Sequence, residues 1–259
     1  MIDLDYSLAG AVTGFVVGLT GVGGGALMTP ILLLVFGVSP ATAVATDLWF
    51  AALTKVAAAG VHQRAGQIDW QVARRLWAGS LPVAIATVVA VSLGAQVTKL
   101  CWLGHAIGVV VLLTALGLLL APRLRAIAAT RELGDAAKLA RSQPALTVGA
   151  GAVLGLCVAL TSVGAGALGS LALLFIYPVR MTPHRLVATD IVHAIPLAVV
   201  AGSGYLFAGL VDADMLLSML VGSIPTTVLG SLAATRSKPR LLQVSLALVL
   251  LAVSVKLVV

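Results

Sequence analysis

The chain has 259 residues, 60% of them hydrophobic and only 10% charged, with a mean hydropathy of +1.12. A soluble domain of that length needs far more polar surface over its core, so the composition excludes a water-soluble globule and fits a bilayer as solvent. The net charge of +7 would point to nucleic acid in a soluble protein, but no aromatic residues interleave a basic patch, and the Lys and Arg residues read as loop residues against lipid headgroups.

Residues 1–7 contain Asp3 and Asp5 and no Lys or Arg, so the positive region of a cleavable signal peptide is missing and the first apolar stretch is expected to stay in the protein. That stretch, about 8–37, carries Thr20-Gly21-Val22-Gly23-Gly24-Gly25. Glycine in a helix interior is worse than alanine by about 1 kcal/mol each, so this run predicts a break between two short helices. Apolar segments of spanning length follow over 40–61, 71–94 and 101–121. Segment 122–143 is the most polar of the chain, with Arg123, Arg125, Arg131, Glu132, Asp135, Lys138 and Arg141, and reads as a partly helical surface linker. A second long Gly-rich stretch covers 145–178, and spans are predicted over 183–208, 213–234 and 241–258. Cys101 and Cys157 lack metal-ligand spacing and read as small core residues.

The sequence repeats itself. Leu19 to Leu27 matches Leu160-Thr161-Ser162-Val163-Gly164-Ala165-Gly166-Ala167-Leu168 at seven of nine positions. Pro40 and Ala45-Thr46-Asp47 match Pro183 and Ala188-Thr189-Asp190. Gly66 and Asp69 match Gly209 and Asp212, and Gly79-Ser80-Leu81-Pro82 matches Gly222-Ser223-Ile224-Pro225. Shared apolar composition does not produce polar matches in one order. The expected organisation is an N-terminal repeat (1–121), a cytoplasmic basic linker (122–143) and a C-terminal repeat (144–259).

Hydropathy alone counts eight segments. If each Gly-rich stretch crosses once, the loop Lys and Arg residues divide nine to six between the two faces. If each is a re-entrant hairpin, each half has three crossings and the halves are inverted. Thirteen basic residues, from Arg64 to Arg240, then share one face, and only Lys99 and Lys256 lie on the other. The positive-inside rule favours the second arrangement and puts both termini outside a bacterial cytoplasmic membrane. The expected fold is an all-α polytopic membrane protein of two inverted repeats, each a broken Gly-rich hairpin plus three transmembrane helices.

Non-helical backbone inside a bilayer is tolerated where it is buried in protein or lines a watery cavity. The helices that restart at Gly25 and Gly166 would present free N–H groups and a positive dipole end, an anion site without a fixed charge. Candidate substrate-binding residues are Thr20, Gly21, Val22, Gly23, Gly24 and Gly25, and Thr161, Ser162, Val163, Gly164, Ala165 and Gly166. The plainer alternative for the glycines is close helix packing.

Thr46, Asp47, Thr189 and Asp190 are candidate coupling or structural residues. Each aspartate follows its span-opening proline by seven residues, about 10 Å along the helix. Two roles are open for them: carrying a proton, or accepting hydrogen bonds from the free N–H groups of a broken helix, with the second favoured because a carboxylate repels an anionic cargo. His193 follows Asp190 by one turn. Lys55 either neutralises the cargo or snorkels toward the His62–Arg64 end, and snorkelling is the favoured reading. No metal cluster, no nucleophile–base pair and no phosphate-loop lysine appears, so no catalytic residues, no metal and no cofactor are expected. The expected partners are a small anion and the lipid bilayer, with assembly into a homo-oligomer left open and nucleic acid excluded.

A Gly-Leu-Thr-Gly-Val-Gly-Gly-Gly turn from Gly18 to Gly25, then a proline and Ala-Thr-Asp, repeated in the second half, resembles the TauE/SafE family of sulfite and organosulfonate exporters. The resemblance covers nearly the whole chain. It implies secondary transport of a small sulfur-containing anion. The alternative is a non-transporting membrane subunit or an intramembrane enzyme. Ser162 and Ala165 stand where the first half has Gly21 and Gly24, so the second turn departs from the glycine-rich pattern.

Overall fold

The computed structural model describes residues 2–20, 25–64, 66–93, 105, 107–117, 119–120, 136–164, 166–177, 180–234 and 251. The helices are α1 (Leu4–Thr20), α2 (Gly25–Leu34), α3 (Pro40–Arg64), α4 (Trp70–Leu93), α5 (Ile107–Gly117), α6 (Ala136–Thr161), α7 (Ala167–Ile176), α8 (Pro183–Phe207) and α9 (Ala213–Ala234). Among the described residues there is no strand. Among the described residues, four stretches are long and apolar enough to cross a bilayer: Trp70–Val91, Arg141–Thr161, His184–Phe207 and Ala213–Gly230. The protein is an all-helical, multi-pass membrane protein. The predicted spans 40–61, 71–94, 183–208 and 213–234 coincide with α3, α4, α8 and α9. Of the span 101–121, α5 covers the described core. Of the span 241–258 only Leu251 is among the described residues, and residues 122–135 of the linker lie outside them, while Ala136 to Gln143 already belong to α6.

Helices α2 and α7 have ten residues each, about 15 Å, half the thickness of a hydrocarbon core. Both double back beside the helix before them. Gln143, near the start of α6, donates its amide to the carbonyl of Ile176 at the end of α7 (3.0 Å), and Thr147 and Tyr177 hydroxyls lie 2.9 Å apart. In the first half the Phe36 ring, beyond α2, packs on Tyr6 at the start of α1, with centroids 4.4 Å apart.

The two halves interlock. Helix α1 packs on α9 and α6 on α4, α3 crosses α8, and α3 meets α9 as α8 meets α4. Exchanging the halves returns the same set of contacts. The closest approaches are backbone to backbone. A Cβ at Gly79 would lie 1.9 Å from the Val148 carbonyl oxygen, and one at Gly222 1.9 Å from that of Ser7. Gly10 and Gly14 on α1, and Gly151 and Gly155 on α6, sit as tightly on α9 and α4. These are four-residue glycine steps, which let helix backbones meet closely in a membrane. The matched Gly-Ser-x-Pro runs are thus the facing surfaces of these two contacts.

The loops before α4 and α9 are built alike. Gly66 (φ +63°) and Gly209 (φ +69°) adopt left-handed backbone. Three residues on, Asp69 Oδ1 accepts from the Val72 N–H (3.3 Å) and Asp212 Oδ1 from the Met215 N–H (2.9 Å), capping α4 and α9. The N–H of each aspartate then crosses to the other half. Asp69 donates to Thr189 Oγ1 (3.0 Å) and Asp212 to Thr46 Oγ1 (3.1 Å). Arg180 adds a bidentate pair to Asp69 (2.7 and 2.9 Å). It is 41% exposed, so the pair is worth at most about 1 kcal/mol. The principal core lies at the α3–α8 crossing, with Val44, Leu48, Leu197 and Ala201 fully covered and α5 contributing Ile107 and Val111.

Candidate functional site

Ionisable and hydroxyl side chains from both halves converge beside that core. Helix α3 brings Asp47 and Lys55, and α8 brings Asp190 and His193; each is at most 4% exposed. The carboxyl of Asp47 reaches α2, where the Thr29 hydroxyl donates to Oδ2 (2.5 Å). Its Oδ1 has no hydrogen-bond partner. Ser162, in the break after α6, lies near Asp47 without a hydrogen bond of good geometry.

Asp190 stands differently. Neither of its oxygens is hydrogen-bonded. Its Oδ1 lies against α7 where Gly169 has no side chain: a Cβ there would be 2.2 Å away. The equivalent residue of α2 is Met28, and Thr29 corresponds to Ser170. The halves therefore place their two matched carboxyls in unlike surroundings, one tied to its short helix and one not.

The ammonium of Lys55 interacts electrostatically with both Asp190 and Asp47, and with His193. It is hydrogen-bonded to neither oxygen of Asp190 nor to Oδ1 of Asp47. This corrects the snorkelling expectation. Lys55 lies fifteen residues into a 25-residue helix and points to the interior. From there its stem is too short to reach either helix end, each more than 13 Å or so away along the axis. His193 Nε2 pairs with Ser80 Oγ (3.0 Å), and its backbone carbonyl accepts from Trp77 Nε1 (3.1 Å), which fixes α8 on α4. The counterparts of Lys55 and His193 in the other half are Ala198 and Phe50, so both basic side chains break the internal symmetry.

The break between α6 and α7 is described in part. Helix α6 ends at Thr161, whose hydroxyl accepts from the Val163 N–H (3.1 Å) and donates to the Cys157 carbonyl (2.7 Å). Ser162 (φ +57°) and Gly164 (φ +117°) both hold left-handed backbone. Serine at that φ is strained by about 1–3 kcal/mol, which the surroundings must hold in place. Val163, Gly164 and Gly166 are buried. Gly166 precedes α7 and no side chain caps that helix. Ala165 lies outside the described residues, as do Gly21, Val22, Gly23 and Gly24 of the first turn; Thr20 and Gly25 close α1 and open α2.

Thr46 and Thr189 do not point into the cluster. Their hydroxyls receive the cross-half N–H bonds of Asp212 and Asp69. Thr29, Ser80 and Gly169 are members of the cluster that the sequence did not single out. Thr29 was open to discovery: it is a hydroxyl on the short helix, in the turn below the break. Gly169 carries no such signal, since it is one of 27 glycines.

The arrangement holds two carboxyls, one ammonium and one imidazole between broken helices, shielded from water and reached from both halves. The model of the family described as Sulfite exporter TauE/SafE matches residues 6–257. Probable membrane transporter protein YjnA of Bacillus subtilis (strain 168) is 34% identical over 263 residues, covering 99% of this chain and all of the relative. Probable membrane transporter protein YunE of the same organism is 38% identical over 69 residues, 27% of this chain and 25% of its own. No solved structure matches the chain. A match across the full length, together with paired short helices and an interior polar cluster, places the chain in the TauE/SafE family of membrane transporters.

Proposed function

We propose that the protein is a secondary transporter of small sulfur-containing anions, sulfite or organosulfonates, which it exports across a bacterial cytoplasmic membrane. The observation that carries the reading is the meeting of Lys55, Asp47, Asp190 and the Ser162–Gly166 break at the crossing of α3 and α8. A buried ammonium hydrogen-bonded to neither oxygen of Asp190 can be shared with a mobile anion. The start of α7, which no side chain caps, adds a positive dipole end. Two halves that exchange contacts by symmetry are the architecture in which alternating access runs by rocking one repeat against the other.

In this reading the repeats are inverted in the membrane, with both termini outside. The hairpin contacts support it. So does the charge at the two ends of the bundle. Asp3 and Asp212 act on Tyr6 at one end, while Arg75 donates to Tyr177 and Arg180 holds Asp69 at the other. Cysteines placed at Ser7 and Ser39, one on each side of the α1–α2 hairpin, will both react with an impermeant thiol reagent added outside intact cells. Labelling at Ser39 only after permeabilisation would refute inversion.

The transport reading is tested by exchange of labelled sulfite across proteoliposomes containing the purified chain. Saturable exchange supports it, and leakage no faster than in empty vesicles sinks it.

A further inference from the structure

We propose that Asp190 carries a proton together with the anion, and that Lys55 is the charge the anion and Asp190 share in turn. The inference rests on the transport reading above. It is drawn from the difference between two carboxyls that the repeat makes equivalent. Asp47 is held to α2 by Thr29 and has a structural task. Asp190 is 1% exposed, has no hydrogen bond to either oxygen, and lies where Gly169 leaves room against α7.

Among the described residues, few charged and titratable groups surround Asp190. Helix α3 contributes Lys55, whose field acts on Asp190, and beyond it Asp47. Its own helix contributes His193, engaged by Ser80 of α4. Helix α7 presents Gly169, and α6 presents Cys157 near the break at Gly164. Lys55 is thus the charge that makes an ionised Asp190 tolerable in this interior.

Charge bookkeeping then fixes the coupling. With both aspartates ionised and Lys55 protonated, the cluster carries one net negative charge. A monovalent anion that takes Lys55 would double it and leave Asp190 buried without a partner, which a low-dielectric interior strongly disfavours. If Asp190 takes one proton from water on the loading side, its carboxylate becomes a neutral carboxyl. The net charge after binding is again one negative. On release, the anion leaves Lys55, Asp190 gives its proton to the opposite side, and the original pair re-forms. By linkage, proton and anion each favour the binding of the other. Anion and proton therefore move in the same direction, one to one, so export runs down the anion's own concentration gradient and carries a proton out with each anion.

The experiment uses the full chain in proteoliposomes with labelled sulfite, clamped at zero membrane potential. Two quantities are read: exchange at equal pH, and accumulation driven by a pH gradient. Sulfite's own titration is common to all variants, so differences among them report on the protein. Wild type accumulates sulfite on the alkaline side. Asp190→Asn lowers the ratio of gradient-driven accumulation to exchange at least tenfold, because asparagine cannot titrate. Asp47→Asn retains the ratio of accumulation to exchange. Gradient-driven accumulation by Asp190→Asn equal to wild type would overturn the assignment, and so would loss of exchange and accumulation together in a folded protein.

A thermal-unfolding cycle guards against misfolding. Lys55→Met strands Asp190 and lowers the melting temperature, and adding Asp190→Asn restores it. A double variant no more stable than Lys55→Met would show that the two residues are not partners and would also overturn the proposal. Absence of sulfite exchange by wild type would count against the transport reading itself and take the proton assignment with it. Exchange with an unaltered gradient response in Asp190→Asn removes the proton assignment alone.

Discussion

Gly79→Leu and Gly222→Leu will each abolish recovery of folded protein, with a loss of about 3 kcal/mol or more. The expectation follows from where the added atoms must go. A Cβ at either position meets a carbonyl oxygen of the facing helix at 1.9 Å. That neighbour is backbone, which cannot rotate aside as a flexible side chain can, so the two helices must separate. Overpacking of a well-packed contact costs about 1–3 kcal/mol, and more when backbone has to move. The lesion sits on the α4–α6 or the α1–α9 contact, each of which joins one half to the other. Yield of monodisperse protein in detergent and its thermal unfolding are the readouts. Gly149→Ala is the control, because no atom lies within 4 Å of a Cβ built there. It also removes a glycine from a helix interior, so the control should be neutral or slightly stabilising. Normal yield and melting temperature for both leucine variants would show that the helices are not packed this closely.

The second large effect is on transport and not on folding. Gly164→Leu will lower sulfite exchange at least about a hundredfold while the protein still inserts and purifies. A Cβ at Gly164 meets only Leu168 at 3.4 Å and Cys157 at 3.6 Å, which is ordinary contact. Space for the Cβ is therefore not the obstacle. The obstacle is φ of +117°, which a leucine adopts only with strain of about 1–3 kcal/mol. The turn relaxes by shifting its backbone together with Ser162, which stands beside Asp47, and a 1 Å displacement in a binding site is enough to remove most of its activity. The converse variant separates strain from shape: Ser162→Gly relieves a positive φ and should raise thermal stability without raising transport. Full exchange by Gly164→Leu would show that the break only packs helices.

Much of the fold is legible in the chain because a bilayer demands a length. The spans 71–94, 183–208 and 213–234 fall on α4, α8 and α9 within a few residues, since about twenty apolar residues in a row have few other uses. The Thr-Asp repeat located two of the charged residues that meet in the interior. What the sequence hid was pairing across the halves. Thr46 and Asp47 are neighbours in the chain, yet one serves the loop of Asp212 and the other serves Thr29. Nothing local tells which. The glycine steps at Gly10 and Gly14, and at Gly151 and Gly155, carry a readable signal, a four-residue spacing repeated at one offset in both halves. The eye goes to the denser glycine run beside them. The snorkelling reading of Lys55 applies a rule for helix ends to a residue near a helix middle. Its distance from both ends of α3, at 1.5 Å per residue, already argued against snorkelling.

The account stands on sulfite, or a close relative of it, occupying the interior between the two halves. Counterflow measures that most directly. Proteoliposomes holding the purified chain are loaded with excess unlabelled sulfite, diluted into trace labelled sulfite at equal pH, and followed over time. The account predicts a transient overshoot of label inside the vesicles, competed by external organosulfonate and absent from Lys55→Met. Label that never exceeds equilibration with empty vesicles, or an overshoot unchanged in Lys55→Met, would contradict it.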